Sequence, residues 1–387
     1  MITKKLGDIC TIASGGTPLR SKEEYWKNGN IPWIKIGDIH SKHVCKAEEC
    51  ITADGLEHSS AKMLPKGTIL YTIFATLGEV GILDIDACTN QAIAGITIKE
   101  NQPMQRDYLY YFLKSKKGYV TRVGRGVAQN NINMSILREM PVPLPEERAQ
   151  EKIVSVLDKI NDITERRKTE LATFDELLKA RFVEMFGDPA FPGELYPIRK
   201  LGEVADIKSS HRVFTSEFVE EGIPFFRGTE IGALAFGQNP KIEYFITEEH
   251  YRQLAGDASK PQVGDLLMPS VCNKGQVWMV DTPRPFYYKD GRVLCISPDR
   301  EIFDSRYLQF YMKMRTLIEY PRMGSGSTFA EFKIFQLKKL IVDIPPIEKQ
   351  RNFADFAKRV EKSKAAIQRS LTETQTLFDS LMQTYFG

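Results

Sequence analysis

The amino-acid sequence predicts a mixed α/β (α+β) protein in which two copies of one domain are separated by two long helices. Short landmarks in the first half recur in the same order in the second half. The offset between matching residues drifts within each domain and then stays at 200 from Gly124 to the C-terminus. A length of 387 residues suits two or three domains. The repeat therefore sets the domain organisation.

The first landmarks predict strands. Each half opens on Lys-Leu-Gly, at Lys5 and Lys200, followed by the alternating apolar residues typical of a strand. An Ile-Pro-aromatic segment follows in each half, at Ile31 and Ile223. The later landmarks form the pairs Gly67 and Gly264, Gly78 and Gly275, and Tyr108 and Tyr307. We expect short strands broken by turns, with a helix near the end of each copy.

A long helix closes each half, and prolines mark its start because proline does not fit inside a helix. The helices are predicted from Gln150 to Phe186 and from Gln350 to Phe386, with apolar residues at spacings of three and four. Such a helix spans roughly 55 Å, and a near-heptad seam favours a partner helix. We predict an antiparallel coiled coil with the domains at opposite ends, related by an approximate two-fold axis. The alternative is that each helix packs on its own domain.

These boundaries divide the chain into four parts. The first mixed domain covers residues 1–146 and the central helix covers 147–188. The second mixed domain covers residues 189–346 and the C-terminal helix covers 347–387.

Composition limits the function classes. There are 53 Lys and Arg against 50 Asp and Glu, so any nucleic-acid footprint must be local. Six cysteines without a CxxC pair predict reduced thiols and a cytoplasmic location. The start of the chain lacks a signal-peptide core, and no apolar run approaches the roughly 18 residues of a membrane span, so we expect no membrane partner. The histidines and cysteines between His40 and His58 match no zinc spacing, so we predict no metal site.

Motifs for catalysis are missing from the sequence. It contains no GxxxxGK[ST], no complete dinucleotide fingerprint, no Asn-Pro-Pro-aromatic tetrapeptide, no GxSxG and no HExxH. The chain is therefore predicted to be a binding protein that is not an enzyme and carries no cofactor of its own.

A local basic stretch indicates where nucleic acid could bind. Between Tyr108 and Arg138 there are six basic residues and no acidic one, next to a glycine-rich segment. The matching stretch from Ser305 to Val342 has seven basic residues against two acidic ones. Phosphate contact explains a repeated excess, although a solvated surface is the simpler alternative. The candidate phosphate ligands are Lys114, Lys116, Lys117, Arg122 and Arg125.

The doubled order of these motifs resembles the specificity subunit of Type I restriction-modification systems. The resemblance rests on Ser14-Gly15-Gly16-Thr17-Pro18, on Ile31 to Ile39, on Gly124 to Ile132, and on Pro143-Leu144-Pro145 before Gln150. It implies two target-recognition domains, each recognising half of a bipartite site in double-stranded DNA. It also implies helices that dock two methyltransferase subunits, to which translocase-nuclease subunits are added. S-adenosylmethionine, ATP and Mg would be used by those partners.

Polar residues near turns are the candidates for base contact, because Arg and Lys suit guanine while Asn and Gln suit adenine in the major groove. In the first domain they are Ser14, Thr17, Lys35, Thr76, Gln91, Arg125, Gln129 and Asn130. In the second they are His211, Arg212, Arg227, Ser270, Asn273, Lys274, Ser325 and Thr328. The alternatives to DNA recognition are a scaffold that binds only proteins and a nuclease or methyltransferase in its own right.

Overall fold

The computed structural model describes residues 2–125, 132–254, 260–323 and 330–387. The chain divides into two compact units. Unit 1 comprises Met1–Lys168 and Arg369–Gly387, and unit 2 comprises Thr169–Gln368. The division falls inside both long helices, so each unit contains a mixed domain and one part of each helix.

Unit 1 is built on a five-stranded sheet of order β2-β9-β6-β7-β4, a three-stranded sheet β5-β3-β8 and the antiparallel pair β1-β10. The elements of the first half are β1 (Ile2–Lys5), α1 (Leu6–Ile9), β2 (Cys10–Ser14), β3 (Ile31–Ile34), β4 (His43–Val44), β5 (Glu49–Ile51), α2 (Ala53–Glu57), β6 (Ile69–Thr72), β7 (Val80–Leu83), β8 (Cys88–Thr89), β9 (Ile93–Ile98), α3 (Arg106–Ser115), α4 (Lys117–Arg125), α5 (Met134–Glu139), β10 (Pro141–Leu144) and α6 (Glu147–Phe186).

Unit 2 contains a four-stranded sheet β12-β18-β15-β16, a three-stranded sheet β14-β13-β17 and the antiparallel pair β11-β19. The elements of the second half are β11 (Ile198–Lys200), α7 (Leu201–Val204), β12 (Ala205–Lys208), β13 (Ile223–Phe226), α8 (Gly228–Ala235), β14 (Phe245–Ile246), α9 (Glu248–Leu254), β15 (Leu266–Pro269), β16 (Trp278–Met279), β17 (Tyr287–Tyr288), β18 (Val293–Pro298), α10 (Ser305–Arg322), α11 (Ile334–Lys339), β19 (Ile341–Asp343) and α12 (Ile347–Phe386).

The predicted repeat is confirmed by this order of elements and by the strand register. Cys10 of β2 lies opposite Ile98 of β9, and Ala205 of β12 lies opposite Pro298 of β18. The central strands β6 and β15 are buried at every residue, as expected for apolar runs covered on both faces. The two domains differ in the segment that follows the Ile-Pro-aromatic strand. After β13 the chain forms the two-turn helix α8, whereas after β3 it forms only the short 3₁₀ turn Ile36–Asp38.

The long helices pack against each other in antiparallel fashion within each unit, as predicted. In unit 1, Arg167 Nη1 on α6 donates to the Ser370 carbonyl on α12 at 2.8 Å. In unit 2, the ring centroids of Phe182 and Phe353 lie 5.2 Å apart, and Asp175 forms an ion pair with Lys364. From Asp175 to Phe182 on α6, the contacted residue on α12 falls from Lys364 to Phe353, so the two helices run in opposite directions. The helices also contribute apolar side chains to the domain cores.

A buried glutamine attaches each long helix to its domain. Gln150 is 0% exposed, and its Oε1 accepts from the Gln105 backbone N–H at 2.8 Å. Its Nε2 donates to the carbonyls of Pro103 and Pro145 at 2.8 and 3.0 Å. In unit 2 the same three bonds join Gln350, also 0% exposed, to the backbone of Asp304, Ile302 and Pro345. Since buried amides must find partners, each glutamine fixes the start of its helix.

Candidate nucleic-acid interface

In unit 1 a glycine pair brings the end of β2 close to the turn before β9. Gly15 N–H donates to the Ile93 carbonyl at 3.1 Å, and Gly16 N–H donates to the Thr89 carbonyl at 2.9 Å. A Cβ atom at either glycine would collide with neighbouring backbone, so this close approach requires glycine. Thr17, the next residue, then donates its hydroxyl proton to Gln91 Oε1. Two of the predicted base-contacting residues are therefore in direct contact.

The predicted residue Ser14 lies nearby, at the exposed end of β2 and opposite Ala94. Thr76 lies in the loop after β6, where Thr72 Oγ1 donates to the Thr76 carbonyl and accepts from Glu79 N–H. Ala75 has a φ of 58°, in the left-handed region that alanine rarely adopts. The tip of this loop, residues 74–76, is exposed. It thus presents Thr76 on a loop whose base is closed by hydrogen bonds.

Lys35 is held by carboxylates rather than left free. Its Nζ lies 2.7 Å from Glu49 and 3.1 Å from Glu48. Glu49 also pairs with Arg20, whose guanidinium lies 3.7 Å from the ring centroid of Trp26. Hydrogen bonds from Arg20 and Lys35 lower the pKa of Glu49 from its ordinary value. To contact DNA, Lys35 would have to leave these two carboxylates.

In unit 2, predicted and unpredicted residues line one cleft of about 730 Å³. Its walls come from α8, from the segment after β15 and from the turn before β18. Three of the predicted residues line it: Arg227, Ser270 and Lys274. Sequence analysis missed five further polar residues that line it, namely Thr229, Gln238, Gln276, Lys289 and Arg292. The motif Lys289-Asp290-Gly291-Arg292 is a turn ahead of a strand and could have indicated the last two.

The charged groups of the cleft differ in how they are held. Arg227 donates from Nε and Nη2 to the Glu230 carboxylate at 3.2 and 2.8 Å, and from Nη2 to Glu243 at 3.1 Å. The hydrogen bond to Glu230 raises the pKa of Arg227 above its ordinary value. Lys274 is exposed, and the predicted residue Asn273 accepts from Gln276 Nε2 at 3.3 Å beside it. Arg227 is thus an anchored cation, while Lys274 faces solvent.

The predicted pair His211 and Arg212 belongs to another part of unit 2. The His211 backbone N–H donates to the Tyr287 hydroxyl at 2.9 Å, and the Arg212 guanidinium lies 5.2 Å from the Phe214 ring centroid. Neither residue lines the cleft. Ser210 and His211 stand where unit 1 has its glycine pair, and Ser209 matches Ser14. Ser209 Oγ accepts from Gly291 N–H at 2.8 Å and Ser210 Oγ donates to the Tyr288 carbonyl at 2.6 Å.

Four of the predicted phosphate ligands line a second cleft, of about 1100 Å³, in unit 1 beside the end of α12. Lys114 Nζ lies 5.5 Å from the Phe378 ring centroid, and Lys116 donates to the Phe386 carbonyl. Burial lowers the pKa of both lysines. Lys117 pairs with Glu79, while Arg122 is exposed. Lys114 and Lys116 therefore contact the helix end, Lys117 is held by Glu79, and Arg122 is exposed.

Other predicted residues lie outside the described ranges. They are the Arg125 side chain and the whole of Gln129, Asn130, Ser325 and Thr328. Their neighbours are placed, because Ile132 N–H donates to the Ile73 carbonyl and Phe332 N–H donates to the Ser270 carbonyl, at 3.0 and 2.8 Å.

Within the four described ranges, no group of three or more His, Cys, Asp or Glu residues could hold a metal ion. Of the histidines in the segment from 40 to 58, His43 pairs with Asp84 at 3.2 Å and His58 stacks on Tyr25. Among the helices that the structure describes, none combines the length and the apolar character needed to cross a bilayer.

The chain thus contains two copies of one domain, each with polar residues gathered at strand ends and each fixed to a long helix. Residues 1–173 and 194–374 match the Type I restriction modification DNA specificity domain, and the chain belongs to this family. The resemblance inferred from the sequence is thereby confirmed.

Relatives and solved structures agree with this assignment. The chain is 29% identical over 369 residues to the Type I restriction enzyme MjaIX specificity subunit of Methanocaldococcus jannaschii, covering 89% of this chain and 82% of that protein. It is 29% identical over 167 residues to the EcoR124I/EcoR124II specificity subunit of Escherichia coli, covering 42% and 41%. The S subunit of a Type I system from M. genitalium shares the fold, with a TM-score of 0.58, 16% identity and coverage of 100% and 96%. A chain from a study of complex assembly and conformational transition in a type I R-M system gives a TM-score of 0.57, 19% identity and coverage of 100% and 97%.

Proposed function

We propose that this chain is the non-catalytic specificity subunit of a type I restriction-modification complex and recognises a bipartite site in double-stranded DNA, one half-site per domain. The observation that carries the proposal is that the two domains share one backbone framework but carry different polar side chains on their surfaces. The two domains share the order of four sheet strands, β2-β9-β6-β7 and β12-β18-β15-β16, and the glutamine attachment. The surfaces differ, with a Thr17–Gln91 pair in unit 1 and a cationic cleft in unit 2. Two such domains would recognise two different short sequences at a fixed separation, much as paired modules bind half-sites.

Contacts to phosphate and to bases are assigned to different residues. Exposed cations such as Arg122 suit phosphate, which contributes affinity that does not depend on base sequence. The amide of Gln91 suits adenine, and the cations of the unit 2 cleft suit guanine. Lys114 and Lys116 are half-buried against the end of α12, so we assign them a structural role in packing and no phosphate contact.

The long helices provide the surface for partner subunits. Leu177 on α6 and Leu377 on α12 occupy matching positions and are 44% and 52% exposed. Matching exposed leucines support two equivalent contacts, as expected if two methyltransferase subunits dock on the helices. Translocase-nuclease subunits would join through that methyltransferase core. The partners would bind S-adenosylmethionine, ATP and Mg, and the complex would act in the cytoplasm.

The decisive experiment is to co-express the full chain with its methyltransferase partner and to map methylated adenines by single-molecule sequencing. We expect one bipartite motif with a fixed gap. Replacing residues 1–143 with those of a relative should change one half of the motif and leave the other intact. A change in both halves would contradict independent recognition by the two domains.

Two controls address the alternatives. The chain expressed without its partner should methylate nothing, and methyl transfer by the isolated chain would refute a non-catalytic role. Binding of cognate DNA should weaken steeply with salt through counterion release. No measurable binding of DNA at any salt concentration would favour the protein scaffold instead.

A further inference from the structure

The backbone at Arg292 is fixed from both sides. Arg292 N–H donates to the Asp290 carbonyl at 2.7 Å, and the Arg292 carbonyl accepts from Ser270 N–H at 2.9 Å. Gly291 has a φ of 64°, so the turn just before Arg292 uses the left-handed conformation that glycine allows. Strand β18 begins at the next residue. The side chain therefore starts from a defined point on the rim of the unit 2 cleft.

The guanidinium of Arg292 is oriented but still available. Its Nη1 pairs with the Glu331 carboxylate, and 63% of the side chain remains exposed. Within the described part of the chain, Nε and Nη2 of Arg292 contact no protein acceptor. Arg227 in the same cleft is the opposite case, because Glu230 occupies both its Nε and its Nη2. Of these two arginines, Arg292 thus offers the two-pronged edge that binds paired acceptors.

A second polar group in the cleft, the Ser270 hydroxyl, is available to a ligand in addition to Nε and Nη2 of Arg292. Ser270 is 1% exposed, and its hydroxyl makes no hydrogen bond within the described residues. Ser270 and Arg292 are joined through their backbones and line the same cleft. A buried hydroxyl without a partner is unfavourable, and a ligand that enters this cleft could supply one.

The sequence of unit 1 has no equivalent of the Arg292–Glu331 ion pair. The position that matches Arg292 is Ala92, since β9 and β18 begin at Ile93 and Val293. The position that matches Glu331 is Asn131 in the sequence. Any discrimination that depends on the Arg292–Glu331 pair therefore belongs to unit 2.

We propose that Arg292, oriented by Glu331, contacts a guanine in the half-site recognised by unit 2. This inference rests on the proposed function. Guanine presents N7 and O6 in the major groove, and an arginine that donates to both is the commonest specific contact. Glu331 restricts the rotation of the guanidinium before DNA arrives, which reduces the entropy cost of binding. Ser270 is the neighbouring group available for a further contact.

The test is the methylation motif of the full chain with its methyltransferase partner, compared for wild type and Arg292→Ala. In the wild type, the unit 2 half-site should contain a guanine. In Arg292→Ala, preference at that position should fall about 5- to 150-fold, the range for one good bidentate contact. Every position of the unit 1 half-site should be unchanged, which serves as an internal control for folding. Arg292→Lys should retain part of the preference, because lysine donates as a point charge without the fork.

Further variants separate orientation from contact. Glu331→Gln should weaken the preference less than Arg292→Ala does, because the arginine is still present. Arg252→Ala is the matched control, since Arg252 is a 72% exposed arginine paired with Glu248 outside the cleft. It should leave the motif intact.

The outcomes distinguish this inference from the proposed function. A wild-type complex without any motif would refute the proposed function. A bipartite motif that lacks guanine in the unit 2 half, or that Arg292→Ala leaves intact, would overturn only the assignment of Arg292. Loss of all methylation in both Arg292 variants would also overturn it, since removing one base contact should relax one position.

Discussion

Replacing Lys42 by alanine should destabilise unit 1 strongly, because this lysine is buried against two carboxylates. Its side chain is 7% exposed, and its Nζ lies 2.7 Å from Asp107 and pairs with Asp158 on α6. The ammonium also lies 5.5 and 5.0 Å from the ring centroids of Tyr110 and Tyr111. Lys42 thus links a loop of the mixed domain to the long helix.

The expected cost follows from the charges that remain. Removing one partner of a buried ion pair costs up to about 3–5 kcal/mol. Without Lys42, the partly exposed Asp107 keeps Arg106 and the partly exposed Asp158 keeps the Tyr111 hydroxyl, but both carboxylates lose the one cation they share. In a unit of this size, each kcal/mol lowers the melting temperature by about 2–4 °C. We therefore expect Lys42→Ala to lower the melting temperature of unit 1 by about 6–20 °C.

The effect should depend on pH. Burial acts to raise the pKa of Asp107, but the hydrogen bonds and charges of Lys42 and Arg106 together outweigh burial and hold this pKa below its ordinary value. A lowered folded-state pKa contributes stability above the unfolded pKa of about 3.9, and this contribution disappears as pH falls through the folded-state value. The difference between wild type and Lys42→Ala should be complete at neutral pH and should shrink below about pH 4.

The assay is urea unfolding followed by tryptophan fluorescence in a Trp278→Phe background. The chain has three tryptophans, and the remaining two, Trp26 and Trp33, both lie in unit 1. Lys62→Ala, at an exposed lysine of the same unit, should change stability by no more than about 0.5 kcal/mol. A loss below about 1 kcal/mol for Lys42→Ala, against the roughly 3–5 kcal/mol expected, or a loss independent of pH, would refute the reasoning.

Three further predictions concern the helix attachment, the glycine turn and the basic cleft. Gln150→Ala should lower the free energy of unfolding by at least about 2 kcal/mol, because backbone groups are left unpaired. Faster amide hydrogen exchange at the start of α6 would show this loss. Gln375→Ala, at an exposed glutamine bonded to Asp379, is the control. Gly16→Ala should destabilise unit 1, since its Cβ would collide with residues 60–61, and equal urea midpoints would contradict this. Arg122→Ala should make the plot of log binding constant against log salt concentration less steep. Its slope should change by roughly 0.9 for each phosphate that the variant no longer neutralises. Lys114→Met should instead leave that slope unchanged and cause no loss of stability, because burial already disfavours the charge of this lysine and lowers its pKa. Titrations at several salt concentrations would test the slope.

The repeat and the long helices could be predicted from the sequence because their signals are local. Prolines before Gln150 and Gln350 and the constant offset are visible without any three-dimensional contact. The attachment made by these glutamines was not predicted, because it depends on carbonyls of a distant loop, such as that of Pro103. Periodicity shows where a helix begins but does not show what holds its first turn.

The candidate site was harder to predict, because its members meet only through strand pairing. Ser270 and Arg292 come together when β15 pairs with β18, which places Pro269 opposite Val293. Lys35 was predicted as a base-contacting cation, but pairing of β3 with β5 brings Glu49 to it. Short strands carry too weak a period to reveal such registers. Sequence patterns therefore identified polar residues near turns and could not show which of them were already paired.

The glutamine attachment has a consequence for how such a protein can change. Gln150 and Gln350 bond to main-chain atoms of their domains. The attachment therefore requires a backbone path and is indifferent to which side chains the domain carries. A domain can exchange the residues on its outer surface, one by one or all at once, and remain fixed to its helix. A changed outer surface thus needs no compensating change at the glutamine that holds the start of the helix.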